Sequence, residues 1–297
     1  MLLSYTDSSR ANGVSSDGST VVGASYAAFG AAWSAFKWSS AGMTGLSGTG
    51  DTIANAISAS SIVGESSTGM ALAWNGSVVR ELAGPQNDPT ASSSAQAVSA
   101  NGNTIVGFSH GASGNDKAVR WVGTSTTAEL LETVYTQSRA NGVSSDGSII
   151  VGSSSSGAFK WTSAGGPTLL PNGGTGSAAT AISADGTVIV GVNGSVAPVR
   201  WVGSGNPVVL GVAQGQAVAV NSSGTVIVGF TGLATPDAFV WDATNGMRSL
   251  ATVLTNASAD VSAWTLSQAT GVSSNGKVIV GWGSHNGTEE AWIARLP

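Results

Sequence analysis

Residues 10–18 and residues 139–147 both read RANGVSSDG. Nine identical residues separated by 129 positions mark an internal repeat, and a recurring unit of a few tens of residues restricts a chain to solenoids, propellers or arrays. Extending the match gives the signature A-x-x-[VI]-S-x-[DN]-G-x-x-[VI]-V-G, a variable loop, A-[FV]-x-W, a short turn and Leu. The closing glycines are Gly23, Gly64, Gly107, Gly152, Gly191, Gly229 and Gly281, at intervals of 41, 43, 45, 39, 38 and 52. A Trp follows at Trp38, Trp74, Trp121, Trp161, Trp201 and Trp241. Repeat seven carries Ala294 there, and its Trp292 takes the place of Phe36, Phe159 and Phe239.

Each repeat reads as four short strands. Asp17-Gly18 and its equivalents suit a hairpin turn that needs positive φ, and no window sustains a helical period. Four strands at this period predict an all-β, seven-bladed β-propeller with four-stranded blades, formed by residues 1–297 as one domain. Met1-Leu2-Leu3 aligns with Glu129-Leu130-Leu131, the fourth strand before repeat four. The N-terminus is therefore expected to add the outer strand of the last blade beside Ile293 and close the ring. Repeat two lacks the Asp-Gly turn and has Ser58-Ala59-Ser60-Ser61 instead.

Composition narrows the function classes. Charged residues are 9% of the chain, the net charge is −5, and there is no run of Lys or Arg. A nucleic-acid binder needs a basic footprint, so nucleic acid is not an expected partner. No apolar stretch approaches the length of a membrane span, and no membrane insertion is expected. With no cysteine there is no disulfide or thiol chemistry. Met1-Leu2-Leu3 is too short to serve as an export signal.

Within A-F-x-W the Phe and Trp lie two apart, so they share a face of the third strand and are expected to fill the wedges between blades. The position between them is cationic in repeats one, three, four and five (Lys37, Arg120, Lys160 and Arg200), and all three repeats with a turn Asp, one, four and five, are among these. Intrablade ion pairs Asp17–Lys37, Asp146–Lys160 and Asp185–Arg200 are expected. The two histidines, His110 and His285, stand several blades apart, so no shared metal site is expected. Asp51 and Asp116 read as solvated loop acids. Glu289 and Glu290 are adjacent, so on a strand they point to opposite faces. No catalytic residue and no cofactor is expected.

The loops between second and third strands, on one rim, carry irregular aromatics: Tyr26, Phe29 and Trp33 in repeat one, Phe108 and His110 in repeat three, Phe230 in repeat six, Trp282 and His285 in repeat seven. The longest connection, 251–270, adds Trp264. Val192 and Ser153 stand where other repeats have Phe108 and Trp282, so the frame does not require an aromatic there. Repeats six, seven and one are neighbours in a closed ring. Tyr26, Phe29, Trp33, Phe230, Trp264, Trp282 and His285 are therefore the candidate ligand-binding residues.

AFVWDATNGMRSL (238–250), ATGVSSNGKVIVGWG (269–283) and EAWIARLP (290–297) resemble the HAF family of bacterial extracellular repeats. The resemblance implies an exported or cell-surface location and no particular reaction. The reading is a non-enzymatic recognition module that binds glycan or protein on the loop-rich rim. The alternatives are a structural or adhesive module without a small ligand and, more weakly, a propeller glycosidase or lyase. First-strand residues should line the axis, and they are poor in the acids that an enzyme needs.

Overall fold

The computed structural model describes residues 8–26, 32–86, 88, 91–111, 114–211 and 214–297. It is all-β apart from one short helix, Leu250–Asn256. Four sheets are four-stranded antiparallel meanders in sequence order. Repeats two and three form an eight-stranded sheet, in which two such meanders join through parallel outer strands Val78–Pro85 and Thr127–Leu130. The last sheet has three described strands, Trp264–Val272, Val278–His285 and Thr288–Arg295. Leu2-Leu3 and the proposed closing strand lie outside the described residues.

Each element of the signature has a mechanical reason. In V-V-G the two valines point to opposite faces of the sheet, and each serves a different neighbour. Val21 packs with Phe36, Trp38, Val280 and Ala291. Val22 packs with Ile62, Leu72 and Trp74 of repeat two. The following glycine sits where the first strand bulges, as at Ala11/Gly13. A Cβ on Gly23 would lie 1.9 Å from the Arg10 carbonyl oxygen, and the other six closing glycines meet the same obstruction at 1.9–2.0 Å. That backbone contact is why the position is glycine in all seven repeats.

The turn glycines Gly18, Gly102, Gly147, Gly186, Gly224 and Gly276 have φ between +72° and +80°, as the Asp-Gly reading predicts. The turn acids do not make the expected ion pairs. Asp17 accepts hydrogen bonds from Ser15 Oγ (2.6 Å), Ser19 N (3.0 Å) and Ser19 Oγ (2.8 Å) within its own turn. Asp146 and Asp185 repeat this pattern. The Ser15 hydroxyl first, then Ser19, holds the Asp17 carboxyl at about 2, and Asp146 is lowered to about 2 by Ser144 and Ser148. Lys37 lies inside its strand opposite Val22, one register step from the turn. Arg200 instead lies over Trp241 of the next repeat at 4.5 Å, as Arg120 lies over Trp161 at 4.7 Å. The pairs Asp17–Lys37, Asp146–Lys160 and Asp185–Arg200 are therefore not formed: all three acids are bound within their own turns, and Arg200 stacks on the next repeat.

Among the described residues the apolar core divides into seven clusters, each between successive repeats. Trp74, Trp121, Trp201, Phe36, Phe159 and Phe239 are fully buried in them. Hydrogen bonds cross the same junctions. Ala35, Ala71, Ala118 and Ala158 donate N–H to Thr52, Ser93, Ser138 and Ser177 of the next repeat. Ala291 of repeat seven donates likewise to Ser9 Oγ of repeat one at 3.0 Å. Where repeat five has Pro198 in place of alanine, repeat six offers Gly215: proline has no N–H to satisfy, and the hydroxyl is dispensed with.

Candidate binding rim and axial cavity

The Arg of RANGVSSDG immediately precedes the alanine at the first-strand bulge. There it reaches back over the preceding repeat. Arg10 lies over Trp282 at 4.7 Å and Trp33 at 5.8 Å, and Tyr26 continues the row beside Trp33 (5.6 Å, 48°). Glu289 holds the guanidinium from the side, with Nε at 2.8 Å and one terminal nitrogen at 3.1 Å. Ser8 Oγ donates to the same carboxylate at 3.1 Å. The Arg10 side chain stays 46% exposed. A guanidinium held along one edge by a carboxylate and still half exposed has N–H donors left over for a ligand.

The expected single patch is divided. Trp282 and His285 are three apart on an unbulged pairing with Thr288–Arg295, so they lie on opposite faces. Trp264 opens the first strand of the last sheet rather than sitting in a connection, and stacks on His285 at 4.5 Å and 22°. His285 Nδ1 lies 3.4 Å from Glu290 Oε2, on the face away from Glu289. Part of the long connection is the helix Leu250–Asn256, whose Leu250 and Leu254 are buried; seven residues are too few to show a helical period in the sequence. Phe230 shares the face of Val228, towards the last sheet, and makes no ring contact among the described residues. Phe29 lies outside the described residues. The structure thus groups Tyr26, Trp33 and Trp282 with Arg10 and Glu289, and separately Trp264 with His285.

The second RANGVSSDG copy builds an equivalent group. Arg139 lies over Phe108 at 4.4 Å and donates from Nε to Asp116 Oδ2 at 2.5 Å. Asp116 also faces His110 Nδ1 at 2.7 Å. Asp116 is 2% exposed, so the solvated loop acid expected there is a buried strand residue instead. Sequence reasoning did not single out Arg10 or Arg139 as site residues and read Glu289 only as one of an adjacent acid pair. The available signal was an Arg in both identical segments where other repeats have Ile53, Ser94, Ala178, Gln216 or Gln268.

Around the axis lies a cavity of about 540 Å³ lined from every repeat, with Asn12, Asn55, Gln96, Asn141, Thr180 and Thr270 among its walls. A second cavity of about 400 Å³ adjoins it on the turn side. The two meet at Val14, Ile57 and Val272. Among the described residues no cluster of His, Cys, Asp and Glu could hold a metal ion, and no helix is long and apolar enough to cross a membrane.

No family model and no curated protein matches this chain. Among solved structures it is similar to a protein assigned as TolB from Agrobacterium tumefaciens, with 15% identity over 80% of this chain and 87% of that one, TM-score 0.51. It is also similar to TolB from Acinetobacter baumannii, with 12% identity over 78% of this chain and 63% of that one, TM-score 0.51. The chain has a β-propeller fold. At these identities the likeness carries architecture and nothing about ligand or reaction.

Proposed function

We propose that this chain is a seven-bladed extracellular recognition propeller that binds glycan or protein on the loop-rich rim, at the junction of its last and first blades. Two features support seven closed blades: seven apolar clusters join successive repeats, and Ser9 and Ala291 repeat the bond found at the other junctions. The extracellular placement rests on the HAF resemblance.

The observation that carries the binding site is the row Tyr26–Trp33–Arg10–Trp282, a partly exposed aromatic wall with an anchored guanidinium in it. Such a wall offers apolar faces beside spare N–H donors, which suits a sugar ring with oxygen substituents or a polar protein loop. Screening the chain against immobilised glycans and surface proteins tests it. Bound partners should be lost by Trp33→Ala and Trp282→Ala; partners retained by both variants would refute the site.

One observation favours assembly as a second reading. The outer edge of repeat five exposes Val202, Val208 and Val209 at 48–52%. An apolar sheet edge is a pairing surface. Light scattering that shows a stable oligomer, lost on Val208→Lys, would select this reading over the rim.

A further inference from the structure

We propose that the axial cavity is a second binding site, which takes the end of a neutral, hydroxyl-rich ligand of the hexose type. The inference is independent of the rim site and begins with the side chains that bridge the first strands. Asn12, Asn55 and Asn141 each donate Nδ2 to a backbone carbonyl of the next repeat, Ala54, Ala95 and Ala179, at 2.9, 2.9 and 2.8 Å. A carbonyl can only accept, so the amide orientation is settled by chemistry. Thr180 and Thr270 donate their hydroxyls to Ala217 and Ala11 at 2.6 Å. Each of these amides thus commits an N–H, and each threonine its hydroxyl, to the protein. The Asn oxygens accept no hydrogen bond among the described residues and are not sealed from solvent. The wall of the cavity therefore carries neutral acceptors at Asn12, Asn55 and Asn141.

Such a wall discriminates. An anionic ligand meets the amide oxygens of Asn12, Asn55 and Asn141 and finds no unpaired cation to balance its charge. An ammonium ligand finds no carboxylate among the described lining residues to offset its lost hydration. Among the described lining residues the charged one is Arg139, and it is held by Asp116. Neutral hydroxyls suit the site, since they donate to Asn12, Asn55 and Asn141 and accept from Gln216 at the wall. The β-branched floor at Val14, Ile57 and Val272 offers a surface for the C–H face of a sugar ring. A volume of about 540 Å³ is within the range of small-ligand pockets.

The test is titration calorimetry and saturation-transfer NMR on the intact chain. Methyl α-glucopyranoside and cellobiose are the neutral probes; glucuronate and ethanolamine at equal concentration are the charged ones. Val218→Trp fills the cavity at a lining position that makes no inter-repeat side-chain hydrogen bond. Neutral probes should bind and charged ones should not. Val218→Trp should weaken binding at least about tenfold with an unchanged unfolding midpoint, whereas Trp282→Ala should leave it intact. If Val218→Trp lowers the midpoint, Gln216→Trp gives the same block from another wall position. Absence of binding by both neutral probes, preference for either charged probe, or full binding by a folded, filled variant would overturn the proposal. Loss on Trp282→Ala would assign the sugar to the rim instead.

Discussion

The same nine residues build the junction between repeats seven and one and the junction between repeats three and four, with different results. In both, the arginine stacks on the aromatic after the closing glycine and pairs with an acid from the preceding repeat's third strand. Between repeats three and four the acid is Asp116, 3% exposed at its side chain, and it is also engaged by His110. Between repeats seven and one the acid is Glu289, 31% exposed, and Trp33 and Tyr26 extend the stack. One junction therefore encloses its charge pair, while the other displays it. A local sequence fixes where an arginine points; the partner strand decides whether the result is a structural clasp or an open surface.

The most severe test of this equivalence is the frame beneath both clasps. Gly107→Ala and Gly281→Ala should each destabilise the protein by about 3 kcal/mol or more, because the new Cβ meets a backbone carbonyl that cannot yield. Denaturant unfolding checks this, and tolerance at one site alone would show that the two junctions do not share a frame.

Next comes the charge pair. Arg139→Ala leaves the buried Asp116 with His110 alone and should cost about 2 kcal/mol, less than a fully buried pair because Arg139 is half exposed. Arg10→Ala lets Glu289 rehydrate, so its cost should be about 1 kcal/mol or less. The order of these two values is the prediction. Equal losses would mean that the difference in burial has no energetic consequence. Arg10→Ala should nevertheless abolish rim binding, while Arg139→Ala should leave it unchanged in the folded protein.

The smallest effect concerns the turns that both copies share. Asp17 and Asp146 titrate near 2 in the fold, below the ordinary value of 3.8. The folded state therefore binds fewer protons than the unfolded chain across that interval. The stabilisation is complete above 3.8 and is lost as pH falls towards 2. Asp17→Asn with Asp146→Asn should flatten the midpoint's pH dependence over that window and change little at neutral pH. Asn101 and Asn275 already do the same capping work in repeats three and seven. An unchanged acid profile would remove these carboxylates from the account.

The repeat, its strands and its aromatic wedges were legible because they are local and periodic. A hydroxyl two residues before the first-strand alanine, at Ser9, Thr52, Ser93, Ser138 and Ser177, was equally periodic and equally legible, but its role needs a partner N–H about forty residues away. The turn acids were visible as residues and misread as ion-pair partners, since register places Lys37 opposite Val22 rather than beside Asp17. The division of the rim aromatics depended on strand parity and on where the last sheet begins, which a long connection with a hidden helix concealed. Amino-acid order by itself determined the repeated unit, its turns and the glycine that each bulge demands, because these follow from contacts within one repeat. Only the tertiary structure decided which arginine meets which acid and which amide oxygens face the axis, because those contacts exist only once separate repeats are brought side by side.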